Sequence, residues 1–87
     1  MTAPIPENEA REMFAHCVQV LGGVTASSRR LEIDERAIRR FVSGERPLNA
    51  GILTDTAKAL RRLTAEAAVA EADLAALIGA QTPPEAH

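Results

Sequence analysis

The chain has 87 residues, a net charge of −2, 46% hydrophobic residues and one cysteine. This length fits one small domain with a modest core, and a single cysteine excludes a disulfide framework. No apolar run approaches the ~20 residues of a transmembrane helix, and the first residues lack the basic and apolar regions of a signal peptide. We therefore expect a cytoplasmic protein with no membrane partner and with Cys17 as a reduced, buried thiol.

The composition favours an all-α fold. Alanine occurs 17 times, Trp and Tyr are absent, and no segment alternates polar and apolar residues as a half-buried strand does. Alanine contributes little burial energy, because its side chain is small and each Å² of buried apolar surface is worth only about 25 cal/mol. A partner subunit would therefore add to the stability of so small a core.

The charges are unevenly distributed along the chain. Residues 24–62 hold nine of the ten basic residues against five acids, a net charge of +4, whereas residues 1–23 sum to −2 and residues 63–87 to −4. Nine of the ten basic residues are arginine, which is well suited to bidentate contacts with phosphate and guanine. The pattern indicates a basic working surface between acidic ends.

The N-terminal part of the chain predicts a flexible lead-in and one amphipathic helix. Residues 1–6 contain Pro4 and Pro6, which disfavour a regular helix there. Over residues 7–21 the apolar positions recur three and four residues apart, which predicts a helix that Gly22-Gly23 ends. The positions expected to face inward are Ala10, Met13, Phe14, Cys17, Val18 and Leu21.

Residues 24–47 predict two short helices joined by a tight turn. The inner face of the first is expected to hold Val24, Ser27, Ser28 and Leu31. Residues 32–34 form the connection, in which Ile33 is expected to be buried and Asp34 to cap the next helix. Gly44 is expected to end that helix in a left-handed conformation, and Pro47 prevents it from resuming.

The second of these helices has two different faces. At about 100° per residue, one face is predicted to be internal and the other external. The internal face holds Asp34, Ala37, Ile38, Phe41 and Val42. The external face holds Arg36, Arg39, Arg40 and Ser43. The helix is therefore expected to pack on a core while it presents three guanidinium groups outward.

These residues form a pattern with Ser28, the turn Leu31-Glu32-Ile33-Asp34, and the exit Ser43-Gly44-Glu45-Arg46-Pro47. The pattern resembles the helix-turn-helix of the Cro and lambda-repressor-like (XRE-type) DNA-binding domains, over roughly residues 10–63. Two positions depart from the family pattern. Glu32 stands where glycine is preferred, which implies strain or a different turn geometry, and Val24 stands where a phosphate-binding glutamine is common.

The resemblance implies a compact all-α domain of four or five helices and a set of DNA contacts. In the family, the first residues of the second helix and those one turn later contact base edges in the major groove. By position, the implied base contacts are Glu35, Arg36, Arg39 and Arg40. The implied phosphate contacts are Thr25, Ser43 and Arg46. The alternative for the arginines is a solvated, salt-bridged surface.

The C-terminal part predicts a long apolar seam after Asn49, a candidate helix cap. Residues alternately three and four apart form a heptad pattern: Leu53, Thr56, Leu60, Leu63, Ala67, Ala70, Leu74 and Leu77. We expect the seam up to residue 63 to complete a DNA-binding domain of residues 7–63. Residues 64–80 are predicted to be helical and either to fold back or, preferably, to form a homodimer. The dimer contacts would be Ala67, Ala70, Leu74, Leu77 and Ile78, and residues 81–87 would be a disordered tail.

No enzyme chemistry is indicated. The chain has two histidines and one cysteine, and it contains no Gly-rich phosphate loop and no Cys/His metal spacing, so we expect no cofactor, metal or small-molecule ligand. The sequence predicts a sequence-specific binder of double-stranded DNA, a dimeric transcriptional repressor on a palindromic operator. The alternatives are a protein-interaction module or antitoxin-like partner whose arginine face binds an acidic protein, and a nucleoid-type binder.

Overall fold

A computed structural model describes residues 6–81, which contain four α-helices and no strand. The helices are α1 (Glu7–Val20), α2 (Val24–Leu31), α3 (Glu35–Ser43) and α4 (Ala50–Gln81). The prediction of an all-α chain is confirmed for this range. The expectations for residues 1–5 and 82–87 lie outside the described residues.

Both ends of helix α1 follow from its sequence. At its start, the first turn carries Glu7 and Glu9, whose charges are favourable at the positive end of the helix dipole. At its C-terminal end, the Gly22 N–H donates to the Gln19 carbonyl at 3.0 Å and the Gly23 N–H donates to the Val18 carbonyl at 2.8 Å. This paired closure satisfies carbonyls that the helix itself leaves free.

The inward face of α1 is narrower than predicted. Phe14, Val18 and Leu21 are buried, but Met13 is 61% exposed, so its placement in the core was wrong. Ala10 and Cys17 are only partly buried. The reason is geometric: the other helices cover the arc centred on Phe14 and Val18 and leave the adjacent flank open to solvent.

The core lies where the four helices meet. Its buried apolar members are Phe14, Val18, Leu21, Leu31, Ile38, Phe41, Ile52 and Ala59. The rings of Phe14 and Phe41 pack edge to face, with centroids 5.7 Å apart. Ser27 is fully buried and donates to the Val18 carbonyl at 3.3 Å, so its small side chain lets α2 pack closely on α1. Ile33, expected to be buried, is partly buried against this core.

Helix α4 is continuous over 32 residues. The Asn49 side-chain oxygen accepts a hydrogen bond from the Ile52 N–H at 2.9 Å, which confirms the predicted cap. The first half packs on the core, whereas residues 64–80 are all exposed. The helix does not fold back after Thr64, and it includes Gln81, so the assignment of residue 81 to a disordered tail was wrong. The projecting half gives the molecule a long dimension of 57 Å.

Candidate nucleic-acid interface

The turn between α2 and α3 is closed by two hydrogen bonds. The Ile33 N–H donates to the Ser28 carbonyl at 3.2 Å, and the Ser28 hydroxyl donates to the Ile33 carbonyl at 2.6 Å. Glu32 adopts the left-handed conformation, with φ 57° and ψ 43°, and is the one non-glycine residue with positive φ in residues 6–81. This conformation costs about 1–2 kcal/mol for a residue with a Cβ, which agrees with the expectation that Glu32 occupies a glycine position.

The start of α3 is fixed by Asp34. One carboxylate oxygen accepts a hydrogen bond from the Arg36 N–H at 2.7 Å, so the predicted N-cap is confirmed. The Asp34 side chain is exposed rather than internal, because a capping residue lies outside the helical repeat. Glu35 follows in the first turn, where its charge is favourable at the helix dipole.

Helix α3 has the two faces that its sequence predicts. Ile38 and Phe41 are buried, at 0% and 4% exposure. The side chains of Arg36, Arg39 and Arg40 are all exposed and share the opposite arc of the helix. The structure therefore brings the three arginines together on one outward surface, which we call the arginine face. Among the other proposed DNA contacts, Glu35 is partly exposed, whereas Thr25, Ser43 and Arg46 are exposed.

Two arginines of this face are paired with acids of the same segment. Arg39 Nη2 lies 3.2 Å from Glu35 Oε1, one helical turn away, and Arg40 Nε lies 3.5 Å from Glu45 Oε2. Exposed pairs of this kind contribute about 0–1 kcal/mol, so they exchange readily for stronger anions. Arg36 makes no ion pair with any residue in the range 6–81. Glu35 thus holds the Arg39 guanidinium in place.

The exit from α3 positions Arg46. Gly44 ends the helix with φ 85°, and a Cβ at this position would collide with the Arg11 side chain. The chain then turns back, and the Arg46 N–H donates to the Arg40 carbonyl at 3.1 Å. The Arg46 guanidinium lies over the Phe41 ring, 5.1 Å from its centroid. Arg46 is therefore held beside the arginine face by packing as well as by the backbone.

Ser43 and Thr25 differ in what they offer a phosphate. The Ser43 hydroxyl donates to the Arg40 carbonyl at 3.2 Å and accepts from the Glu45 N–H at 3.3 Å. The Ser43 hydroxyl can therefore donate to a phosphate only if its hydrogen bond to the Arg40 carbonyl breaks. Thr25 lies in the first turn of α2, whose N-cap is Gly23 and has no side-chain capping bond. The amide groups at this helix end are therefore the better donors.

The sequence did not predict an ion pair that links α2 to α4. Arg30 Nη2 lies 2.6 Å from Glu66 Oε1, and these residues are 36 positions apart, so no local pattern connects them. The hydrogen bond from Arg30 lowers the pKa of Glu66, and the same bond raises the pKa of Arg30.

The sequence also did not predict a groove of ≈ 440 Å³ between the start of α1 and the connection from α3 to α4.

Other candidate chemistry is sparse in the part of the chain that the structure describes. Burial raises the pKa of the Cys17 thiol, which keeps it protonated and weakly reactive. Residues 6–81 hold no group of three or more His, Cys, Asp and Glu side chains arranged to bind a metal ion. Within the same range, no helix is both long enough and apolar enough to cross a membrane.

The chain matches no protein-family model, no curated protein and no solved structure in comparisons of its sequence and fold. A proposal about function therefore rests on the geometry of α2, α3 and the projecting half of α4.

Proposed function

We propose that the protein is a sequence-specific binder of double-stranded DNA, a dimeric transcriptional repressor that reads a palindromic operator through the major groove. The observation that carries the proposal is the arginine face. Arg36, Arg39 and Arg40 project from one side of a capped helix whose other side is anchored by Ile38 and Phe41. Buried anchors fix the rotation of α3, and a fixed rotation is what base recognition requires.

The dimensions and chemistry of α3 suit a groove. Nine residues at 1.5 Å per residue make a helix about 13 Å long, and the major groove is about 12 Å wide. Arginine pairs with the O6 and N7 atoms of guanine through two hydrogen bonds, each such pair being worth about 1–3 kcal/mol of discrimination. Glu35 orients the Arg39 guanidinium at 3.2 Å and is also an acceptor for a cytosine amine.

Backbone contacts would flank the base contacts. Arg46 lies just beyond the end of α3 and makes no ion pair in residues 6–81, so its charge is available to a phosphate. Thr25 and the uncapped amides of α2 lie at the helix that precedes α3, where the backbone of DNA would cross. These contacts would set the register of α3 without reading sequence.

One arginine face makes few base contacts, so tight discrimination requires two copies on a two-fold operator. The projecting half of α4 provides a surface for this association. Leu74 and Leu77 are 56% and 55% exposed, on the seam that also includes Ala67, Ala70 and Ile78. A contiguous apolar surface of this kind marks an interaction site. We propose residues 64–80 as the dimerisation segment.

Selection from a random pool of double-stranded DNA tests the proposal. We expect enrichment of a motif with two-fold symmetry and guanines in each half-site. Binding that depends on salt but enriches no motif would indicate a nucleoid-type protein instead. Absence of DNA binding together with capture of an acidic protein would assign the arginine face to protein recognition.

A further inference from the structure

The apolar seam of α4 continues past the end of the core. Ile52, Thr56 and Ala59 are buried beneath the other helices, and Leu63 packs partly against the same core. Further steps of four and three residues keep the seam on the same side of the helix. These steps reach Ala67, Ala70, Leu74 and Leu77. Residues 64–80 are exposed, so the described chain itself does not cover this part of the seam.

We infer that a second copy of the chain covers this surface, and that the two α4 helices run antiparallel about a two-fold axis at the level of residue 72. This inference deepens the dimer of the proposed function and rests on it. It names the direction of pairing and the residues that meet, which the exposure of the seam alone does not determine.

The order of side-chain sizes along the seam carries the inference. With the axis at residue 72, Ala67 lies opposite Leu77 of the second copy, and Ala70 lies opposite Leu74. Two-fold symmetry repeats both pairs, so each of the four layers between residues 67 and 77 contains one alanine and one leucine. The volume between the helices is then nearly uniform, which allows close packing at one interaxial distance.

A parallel pair in register distributes the same side chains poorly. Ala67 and Ala70 would each face their own copies, and so would Leu74 and Leu77. Interaxial distances range over about 8–10 Å according to the side chains in contact. The alanine layers would require close helices and the leucine layers wide ones, so the pair would either splay or leave a gap. The seam is therefore self-complementary in the antiparallel direction.

The acidic residues of the segment do not choose between the two directions. In a parallel heptad pair, Glu66 lies beside Glu71 of the other helix. In the antiparallel pair, Glu71 and Asp73 each lie near their own copies, on opposite flanks of the axis. The antiparallel pair brings like charges together on exposed flanks, whereas in the parallel pair Arg30 already offsets the charge of Glu66 within its own chain. Either contribution is small on an exposed flank and is screened by salt. The sizes of the seam residues decide the direction.

Cysteine trapping tests the direction without DNA. In a Cys17→Ala background, Ala70→Cys and Leu74→Cys are prepared separately, then mixed and oxidised. A disulfide needs Cα atoms within about 7 Å. The antiparallel pair brings position 70 close to position 74 of the second copy, while the two copies of position 74 are displaced by about 6 Å along the axis in addition to the helix separation. We expect several-fold more cross-linked dimer from the mixture than from Leu74→Cys alone. Equal or greater cross-linking of Leu74→Cys alone would overturn the inference.

A spin label outside the seam provides a second measurement that leaves the packing unchanged. Lys58 is exposed on the half of α4 that packs on the core. In the antiparallel dimer, labels at Lys58→Cys lie roughly 40 Å or more apart, because 28 helical positions separate the two levels. A parallel pair places them within roughly 30 Å, the distance set by the helix separation and two label arms. The shorter distance would contradict the inference.

These outcomes are separable from those of the DNA proposal. If the unmodified chain sediments as a monomer at tens of micromolar, the antiparallel pairing is wrong. Enrichment of a DNA motif in the selection experiment would then still support DNA recognition by the arginine face. If positions 70 and 74 cross-link but no DNA motif is enriched, the pairing holds and the DNA proposal fails.

Discussion

At the level of single residues, the guanidinium groups of Arg39 and Arg40 are oriented by acidic partners that they can exchange for other anions. Arg39 and Arg40 are paired with Glu35 and Glu45 at 3.2 and 3.5 Å, so their guanidinium groups are oriented before any ligand arrives. These exposed pairs are weak. Under the proposed function, exchanging these pairs for contacts with phosphate or guanine would therefore cost the protein little of its own stability.

Glu32 offers a test of backbone strain in the turn. Its φ of 57° is unfavourable for a residue with a Cβ, and glycine removes that penalty at some cost in the entropy of the unfolded chain. We expect Glu32→Gly to raise the free energy of unfolding by about 0.5–1 kcal/mol, measured by urea denaturation. Glu32→Ala is the matched control, since it removes the charge but keeps the Cβ, and it should give no gain. Equal stabilisation by both would assign the effect to the charge.

The sequence was informative where a residue acts through local rules. The cap at Asp34, the cap at Asn49 and the left-handed Gly44 were predicted, since each depends on neighbours within a few positions. Met13 was misplaced, because periodicity gives the direction of a helix face but not how wide an arc the other helices cover. The Arg30–Glu66 pair was not predictable, because only the packed fold brings α2 beside α4.

At the level of elements, α3 is held by its aromatic anchor. Phe41 is 4% exposed, contacts the Phe14 ring edge to face and lies under Arg46. It joins the core, the helix and the exit turn in one place. Changes at this position should therefore affect the stability of the whole domain rather than α3 alone.

We expect Phe41→Ala to lower the free energy of unfolding by about 3–5 kcal/mol, because it removes a buried ring and leaves a cavity. That loss approaches the entire stability of a small domain. Equilibrium denaturation monitored by circular dichroism measures it. Val42→Ala, a truncation at a partly buried neighbour, should cost much less. A cooperative Phe41→Ala variant with an unchanged midpoint would show that α3 is rotated from its described position.

The ion pair between Arg30 of α2 and Glu66 of α4 should be visible in the titration of Glu66. Arg30 lowers the pKa of Glu66 through their hydrogen bond. The contribution of this pair to stability is therefore complete above the ordinary glutamate pKa of about 4.3 and is lost as the pH falls through the lowered value. In an NMR titration, Arg30→Gln should raise the pKa of Glu66 towards its ordinary value, and Arg61→Gln should leave it in place. An unchanged pKa in Arg30→Gln would mean that the pair does not persist in solution.

At the level of the whole molecule, one helix serves two purposes. The first half of α4 completes the core, and the second half extends the same seam into solvent. The heptad pattern predicted an apolar seam along α4, but within the core the buried positions are Ile52, Thr56 and Ala59, whereas the predicted Leu53 and Leu60 are only partly buried. It did not decide whether residues after Thr64 fold back, because that depends on whether the first three helices leave surface to cover them. In the structure α4 continues as one helix to Gln81.

Dimerisation through this half has a simple test. Leu74→Asp places a charge in the middle of the seam, where pairing would bury it. We expect this variant to sediment as a monomer, to keep its helical circular dichroism and to lose operator affinity. Ala72→Asp is the matched control, because residue 72 lies on the opposite side of the helix, and it should remain dimeric. A dimeric Leu74→Asp variant would show that the association surface lies elsewhere.

If the arginine face reads DNA bases, as we propose, removing one of its arginines should reduce the discrimination between DNA sequences. Arg39→Ala and Arg61→Ala remove the same charge, but Arg39 lies on the arginine face and Arg61 is exposed on α4. The measurement is the ratio of affinities for a selected operator and a scrambled duplex, at one salt concentration, for the parent and both variants. We expect Arg39→Ala to reduce the free energy of discrimination between the two duplexes by about 1–3 kcal/mol for each lost base contact, while Arg61→Ala leaves it close to the parent value. An Arg39→Ala variant that discriminates as well as the parent would contradict the proposal.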